Sequence, residues 1–300
     1  MKKNPEFIVK TESELLTFLL ECFRGKSRNY VKGILKRGQI TVNGKVCKDY
    51  ARAIYPGQKI GARLYVLPEK EKMSLPILYE DSDIIVVDKP AGLLSVSTEE
   101  ERENTAYHIV NEYVKKQTRF GRVFIVHRLD RETSGVLLLA KNEQTKFALQ
   151  ENWDENVIRR GYIAVVEGKP EPPQNRITSW LKQTKTLLVY SSNKKDDGKM
   201  AVTDYRTLQS VTKTAEGRSD EYSLLDVSIE TGRKNQIRVH MKDIDCPVAG
   251  DKKYGAATNP FERLGLHASE LVVKHPATGE EMRFESPIPK AFKRIFAETR

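Results

Sequence analysis

Apolar and polar residues recur with a helical period in two stretches near the start of the chain. Over residues 12–21, leucine and phenylalanine side chains interleave with acidic ones, which predicts a helix with one apolar face. Thr11 or Ser13 is the expected cap of this helix. A second helix is predicted over residues 28–37, with Ser27 as its cap.

The second predicted helix has two chemically different faces. Its apolar face carries Val31, Ile34 and Leu35. Its basic face carries three residues that recur every four positions, Arg28, Lys32 and Lys36. The dipeptide Asn43-Gly44 follows between two short β-type runs and predicts a hairpin.

From residue 77 onward, short apolar runs are separated by turn residues and by stretches with a helical period. A charged stretch bracketed by prolines, residues 67–76, precedes them and is interpreted as a linker. The main predicted elements are strands over 77–80, 84–88, 159–168 and 222–229, and helices over 104–117, 142–153 and from 234 onward. We therefore expect an α+β fold with a large mixed, mainly antiparallel sheet flanked by helices, preceded by a small α/β domain.

A charged segment, residues 127–135, lies between two apolar runs that predict buried strands, 123–126 and 136–139. Charged residues at such a place need a partner or a purpose. One interpretation is a turn carrying a surface salt bridge. The other is that flanking guanidinium groups hold the Asp130 carboxylate ionised, ready to act as a nucleophile. The segment alone does not choose between them.

Positive charge is concentrated at one end of the chain. The formal net charge is +10, and residues 1–70 hold 15 Lys and Arg against 6 Asp and Glu, a net of +9. This asymmetry favours a module that binds a polyanion, attached to a nearly neutral body. A basic face that only improves solubility is the alternative.

Several classes of protein are not indicated by the sequence. No apolar run approaches the roughly 20 residues of a membrane span, and the N-terminus leads into no apolar signal core. The three cysteines are scattered and odd in number, which is typical of a reducing compartment. No metal-ligand spacing and no glycine-rich nucleotide loop is present. We expect a cytoplasmic monomer that uses no metal or other cofactor.

The segment 127–135, His-Arg-Leu-Asp-Arg-Glu-Thr-Ser-Gly, resembles the signature of the RluA/RluD-type pseudouridine synthases. The resemblance implies that Asp130 is the catalytic nucleophile and that Arg128 enters the space left by a flipped nucleotide. A strand with the family's spacing of basic residue, Tyr, Ala, Val and Gly places Tyr162 in the site.

A third segment, residues 231–240, is similar to the family's T-G-R-x-H-Q-I-R-x-H pattern, whose second arginine pairs with the catalytic aspartate. Here that arginine is Arg238. Asn235 stands where the family has histidine, so this position carries a donor and an acceptor but no charge. We expect that difference to tune the site without changing the reaction.

Residues 10–65 resemble the S-four RNA-binding module, because the two helices, the basic face and the hairpin occur in its order. The implied organisation is an S-four-like domain over 1–66, the linker, and a pseudouridine synthase domain over 77–300. On this interpretation Arg28, Lys32 and Lys36 contact RNA phosphates. The implied substrate is structured RNA, with large-subunit ribosomal RNA preferred over transfer RNA.

Two other functions remain open at the level of sequence. A non-catalytic RNA-binding or ribosome-assembly protein would need no intact set of Asp130, Tyr162 and Arg238. A nucleoside or sugar hydrolase using Asp130 would favour a second carboxylate at acid/base spacing, and none stands out in the sequence.

Overall fold

A computed structural model of the protein describes residues 4–62, 74–99, 101–118, 120–215 and 218–297. The chain divides into two compact units, Met1–Met73 and Ser74–Arg300. The predicted linker, 67–76, lies mostly outside the described residues.

The first unit packs two helices against short strands. Its elements are β1 (Glu6–Ile8), β2 (Ser13–Glu14), α1 (Leu15–Cys22), α2 (Arg28–Lys36), β3 (Ile40–Val42), β4 (Lys45–Val46), β5 (Ala53–Ile54) and β6 (Lys59–Ala62). Strands β1, β6, β3 and β4 form one sheet in that order, and β2 pairs with β5. The predicted cap of α1 is wrong, because Glu14 occupies the N-cap position without a side-chain hydrogen bond and Ser13 is in β2.

Helix α2 has the predicted cap and the predicted faces. The Ser27 hydroxyl accepts a hydrogen bond from the backbone N–H of Tyr30 at 3.2 Å. The apolar residues of the helix are buried in the core of the unit, whereas the basic ones are exposed. Asn43 and Gly44 both have positive φ angles, 50° and 80°, which the predicted tight hairpin turn requires.

The second unit carries one large sheet. Its strands are β7 (Ile77–Glu80), β8 (Ile84–Lys89), β9 (Phe124–Ile125), β10 (Ser134–Ala140), β11 (Val157–Glu167), β12 (Gln174–Gln183), β13 (Val189–Ser192), β14 (Lys199–Ala215), β15 (Arg218–Ile229), β16 (Leu266–Lys274) and β17 (Glu281–Glu285). Its helices are α3 (Ala106–Gln117), α4 (Glu143–Glu151), α5 (Trp153–Asn156), α6 (Gln236–Asp243) and α7 (Lys290–Phe296).

The eleven strands follow the order β13-β12-β14-β15-β11-β16-β10-β8-β7, with β17 beside β16 and β9 beside β10. Among the described strands, β10 and β16 form the one parallel pair. All other pairs are antiparallel, which confirms the predicted α+β fold with a mixed, mainly antiparallel sheet. No described helix is long and apolar enough to cross a membrane.

Two helices contribute to the apolar clusters around Tyr162. Helix α3 buries Val110 and Val114 in an apolar cluster shared with β8 and β10. Helix α6 buries Ile237 and Met241 in a second cluster with β11 and β15. The ring of Tyr162 packs against both clusters and therefore lies between them.

Candidate active site

The segment 127–135 forms a tight loop that leads into the most buried strand of the sheet. Every residue of β10 is buried. Gly135, at the start of that strand, has a φ of 115°, and a Cβ added there would lie 2.0 Å from the carbonyl oxygen of Ala268. Only glycine allows this approach, so the pairing of β10 with β16 fixes where the loop ends.

A serine on a neighbouring loop holds the residue before Asp130. The Ser95 hydroxyl donates to the Leu129 carbonyl at 2.8 Å and accepts from the Leu129 N–H at 3.1 Å. Both groups are buried. The loop is closed after Asp130 by the Thr133 N–H, which donates to the Asp130 carbonyl at 3.1 Å.

A buried lysine fixes the other side of the loop. The Lys89 ammonium is fully buried and donates to the carbonyls of Pro90, Leu93 and Arg131 at 3.0, 2.7 and 3.2 Å. Its burial lowers the pKa of Lys89 to about 8. Sequence analysis missed this role, although a lysine before a Pro-x-Gly turn at the end of an apolar strand was its visible signal.

A cavity of about 160 Å³ opens where this loop meets α6 and two strands. Its lining brings together four residues named from the sequence: Arg128, Asp130, Tyr162 and Arg238. Asn235 lines it as well, so the three separate sequence segments converge on one site.

Asp130 is half-buried at this cavity. Within the described residues its carboxylate makes no hydrogen bond and no ion pair. Of the two interpretations left open by the sequence, the structure does not show the one in which flanking guanidiniums contact Asp130. Arg128 is exposed, and Arg131 lies 3.9 Å from Glu132 and donates to the Gly92 carbonyl. The negative charge of Asp130 instead contributes an upward shift to the pKa of Lys89, Tyr162 and Arg238. For Lys89, burial outweighs this contribution.

Arg238 is held by a different carboxylate from the one expected. Its Nε and Nη2 donate to the two oxygens of Asp251 at 2.6 and 2.7 Å. The guanidinium also lies 5.0 Å from the centre of the Tyr254 ring. Among the described residues no ion pair within 4.0 Å joins Arg238 to Asp130, so the two interact through space at the cavity.

The balance of these charges keeps Arg238 protonated. Burial acts to lower the pKa of Arg238, whereas the hydrogen bonds and charge of Asp251 raise it, and Asp130 adds to them; the net shift is upward. A fixed positive charge is therefore present at the cavity, near the 127–135 loop, at any physiological pH.

Asn235 connects Arg238 to its aromatic neighbour. Its Oδ1 accepts from Arg238 Nη1 at 3.0 Å, and its Nδ2 donates to the Tyr254 hydroxyl at 3.0 Å. The residue has a φ of 57°, a left-handed conformation that asparagine tolerates well. The neutral amide thus satisfies both neighbours without adding a charge.

Tyr162 offers a protonated phenol to the cavity. Burial raises the pKa of Tyr162 to about 12, with the positive charge of Arg160 opposing the rise and the negative charge of Asp130 adding to it. The hydroxyl therefore remains protonated near pH 7 and acts as a hydrogen-bond donor rather than a base.

Polar residues within α6 lock that helix to the sheet. Gln236 Nε2 donates to the Val202 carbonyl at 2.9 Å, and its Oε1 accepts from the Arg233 N–H at 3.0 Å. The His240 ring lies 2.8 Å from the hydroxyls of both Ser179 and Thr203. These contacts orient α6 so that Arg238 faces the cavity.

A separate cluster of Asp81, Asp83 and His275 has potential metal-ligand atoms within 4.8 Å of one another. Its carboxylates are engaged by protein donors: Asp81 accepts from the Ile84 N–H at 2.8 Å, and Asp83 accepts from Asn142 Nδ2 at 2.9 Å. We interpret the cluster as a set of hydrogen bonds that stabilises the β7–β8 turn.

The three basic residues predicted to meet RNA in the first unit, Arg28, Lys32 and Lys36, are exposed on α2. None of them pairs with a carboxylate in the described part of the chain. Their charges are available to an anionic partner.

Comparison with known proteins matches residues 83–243 to the RNA pseudouridylate synthase family. The uncharacterised RNA pseudouridine synthase YlyB of Bacillus subtilis is 33% identical over 294 residues, covering 94% of this chain and 93% of that protein. The ribosomal large subunit pseudouridine synthase D of Pseudomonas aeruginosa is 32% identical over 300 residues, covering 91% and 87%.

Solved structures carry the same fold. Human RNA pseudouridylate synthase domain containing 4 aligns with a TM-score of 0.57 at 22% identity, over 73% of this chain and 90% of that one. Human RNA pseudouridylate synthase domain containing 1 aligns with the same TM-score at 24% identity, over 74% and 86%.

Proposed function

The chain belongs to the RNA pseudouridylate synthase family and is an isomerase acting on RNA, and we propose that it converts a uridine of ribosomal RNA to pseudouridine with Asp130 as the nucleophile. The observation that carries the proposal is the convergence of Asp130, Tyr162 and Arg238 on one cavity. The names of relatives that act on the large ribosomal subunit support the choice of substrate.

The reaction is balanced without an oxidant or reductant. The bond between ribose C1′ and uracil N1 breaks, a bond between C1′ and C5 forms, C5 loses a proton and N1 gains one. A carboxylate suits the first step, because it can attack or stabilise the electron-poor centre that forms when the base departs. Asp130 has no competing hydrogen bond from the described residues, so its oxygens are available to the substrate.

Arg238 and Tyr162 have distinct roles in this proposal. Arg238 supplies a permanent positive charge near the Asp130 carboxylate in a partly closed cavity. Tyr162 presents a ring for the base to pack on and a neutral hydroxyl that can donate to it.

The cavity suits a single base taken out of its stack. Unstacking costs a few kcal/mol, which contacts to the displaced strand must offset. Arg128 is exposed at the mouth of the cavity. We assign it to the space that the flipped nucleotide leaves and to the neighbouring phosphates.

The first unit serves RNA capture in this proposal. It carries most of the net positive charge of the chain, and the unpaired basic face of α2 fits contacts with phosphates. This assignment includes the S-four-like domain over 1–66 and the linker over 67–76.

A hydrolase is the less favoured alternative. Asp130 is the one carboxylate among the residues that line the described cavity, and nearby Asp251 is occupied by Arg238. A hydrolase of the common two-carboxylate type lacks its second acid here.

The deciding experiment incubates the protein with ribosomal RNA labelled with tritium at uracil C5. Isomerisation releases tritium to water and leaves pseudouridine in the nucleoside digest, whereas hydrolysis releases free uracil. RNA that is bound but unchanged would identify a non-catalytic binder. Mapping pseudouridine in cells with and without the gene then locates the target uridine.

A further inference from the structure

We propose that Tyr50 is a stacking platform for an unpaired RNA base, placed beside the phosphate-binding face of α2. The inference rests on the RNA-binding role proposed above for the first unit. It adds a recognition element that the basic residues alone do not supply, because lysine and arginine charges meet any RNA backbone.

The Tyr50 ring is presented to solvent next to a basic residue. Its side chain is 55% exposed, which leaves much of an aromatic surface uncovered. The Lys32 ammonium lies 5.4 Å from the centre of the ring. The ring is therefore an extension of the surface formed by Arg28, Lys32 and Lys36.

The backbone that carries Tyr50 is fixed. The Tyr50 carbonyl accepts from the Leu16 N–H at 3.1 Å, and the Arg52 carbonyl accepts from the Leu15 N–H at 2.9 Å. Both leucines are buried at the start of α1. The Asp49 carboxylate also accepts from the Ala51 N–H at 3.0 Å, which closes the turn.

Because this backbone is already ordered, little backbone freedom is lost when a ligand stacks on the ring. Tyrosine is well suited to such a role, because it offers a large flat surface with few rotatable bonds. The fixed turn therefore distinguishes Tyr50 from tyrosines that are exposed because they lie on mobile loops.

The chemistry of this surface selects one kind of partner. An unpaired cationic face suits an anion, and a partly exposed aromatic ring beside it suits a flat base. Paired bases inside a helix bury their faces against one another. The surface therefore fits a bulged or looped nucleotide whose neighbouring phosphates lie along α2.

The test measures RNA binding by the full-length chain with Tyr50→Leu and Tyr50→Phe, and with Tyr55→Leu as the matched control. Tyr55 belongs to the same unit and is 50% exposed, but no cation–ring contact involves it among the described residues. The probes are two RNA hairpins of equal length, one fully paired and one carrying a single bulged 2-aminopurine.

We expect Tyr50→Leu to weaken binding to the bulged hairpin about tenfold and binding to the paired hairpin less than twofold. Tyr50→Phe should bind like the unaltered protein and quench 2-aminopurine fluorescence equally. The dependence of binding on salt should stay the same in all three variants, because no charge is removed.

Equal losses on both hairpins, or no loss on either, would overturn the stacking role of Tyr50. The RNA-binding role of the unit is tested separately by replacing Arg28, Lys32 and Lys36. If that replacement leaves the salt dependence unchanged, the assignment of the unit fails whatever Tyr50 does.

Discussion

Arg238 and Asp251 form a two-point ion pair in which the Asp251 side chain is 1% exposed and the Arg238 side chain 13%. The pair orients the guanidinium before any substrate arrives. Arg238, which lines the same cavity as Asp130, is therefore positioned by a carboxylate 13 residues further along the chain.

Replacing Arg238 with methionine should destabilise the protein by about 3–5 kcal/mol, because it leaves Asp251 buried and unpaired. Adding Asp251→Asn removes that buried charge, so the double variant should recover much of the lost stability. It should not recover isomerisation, because the positive charge beside Asp130 is still missing. Chemical denaturation and single-turnover rates measure the two effects separately.

The comparison pair for this experiment is Arg159 with Glu270, joined at 2.6 Å outside the cavity. Glu270→Gln should lower stability modestly and leave the single-turnover rate unchanged. Recovery of activity in the Arg238→Met/Asp251→Asn double variant would show that the charge of Arg238 has no part in the reaction.

Replacing Asp130 with asparagine should abolish isomerisation while RNA affinity stays within a few-fold. The amide keeps the shape of the side chain and loses its charge and nucleophilicity. Glu132→Gln is the matched control, since Glu132 is an exposed carboxylate two residues away. Wild-type turnover by the Asp130→Asn variant would remove this residue from the mechanism.

Tyr162→Phe keeps the ring that packs between two apolar clusters and removes the hydroxyl. If the hydroxyl takes part in proton transfer, the single-turnover rate should fall about 10²- to 10⁴-fold with RNA affinity unchanged. The raised pKa, about 12, also predicts no change in rate between pH 7 and 9 from ionisation of Tyr162. If the Tyr162→Phe variant kept the full single-turnover rate, the hydroxyl would have no part in the reaction and only the ring would have a role.

The stability of the second unit should depend on pH through His240. Burial lowers the pKa of His240 from 6.5 to about 4, so between these values the unfolded chain binds more protons than the folded one. The free energy of unfolding therefore falls as the pH falls below 6.5, by up to about 1.4 kcal/mol per pH unit from this group.

His240→Gln should flatten that dependence in urea denaturation between pH 4.5 and 7. Some slope will remain, because burial also lowers the pKa of His127 to about 4. An identical slope in the variant and the unaltered protein would show that His240 does not titrate in this way.

Replacing Arg28, Lys32 and Lys36 together with glutamine should reduce the slope of log affinity against log salt by about two units. Each phosphate contact contributes roughly 0.7–0.9 to that slope. The charge-matched control replaces three exposed lysines of the second unit, Lys194, Lys195 and Lys199. Equal reductions in the two triple variants would reassign the basic face of α2 to general solvation.

Sequence patterns identified local structure well. The capping of α2 by Ser27, its buried and exposed faces, the Asn43-Gly44 hairpin and the buried strand after Asp130 each depend on residues close together in the chain. The wrong cap of α1 has a non-local cause, because Ser13 and Glu14 pair with Ile54 and Ala53 of β5 and so precede the helix as a strand.

The hydrogen bonds and ion pairs that connect the residues of the site could not be predicted in the same way. Lys89 contacts a carbonyl 42 residues away, and Arg263 Nη2 donates at 2.8 Å to a Ser134 hydroxyl 129 positions before it. Nothing in the local pattern around Arg238 distinguishes Asp130 from Asp251 as its partner. The choice follows from how α6 sits on the sheet.

The parallel pairing of β10 with β16 also sets an order of events during synthesis. Ser134 pairs with His267 and Gly135 with Ala268, so a growing chain that already contains the whole 127–135 segment has β8 beside β10 but still lacks the parallel partner β16. Ser95 and Lys89 precede the loop and can hold it early, whereas its contacts with Arg263 and β16 form only after residues 263–268 have left the ribosome. Closing so long a segment has a high entropic cost. An incomplete chain therefore carries Asp130 without the α6 and β16 residues that line its cavity, and we expect the enzyme to become competent to modify RNA only near the end of its own translation.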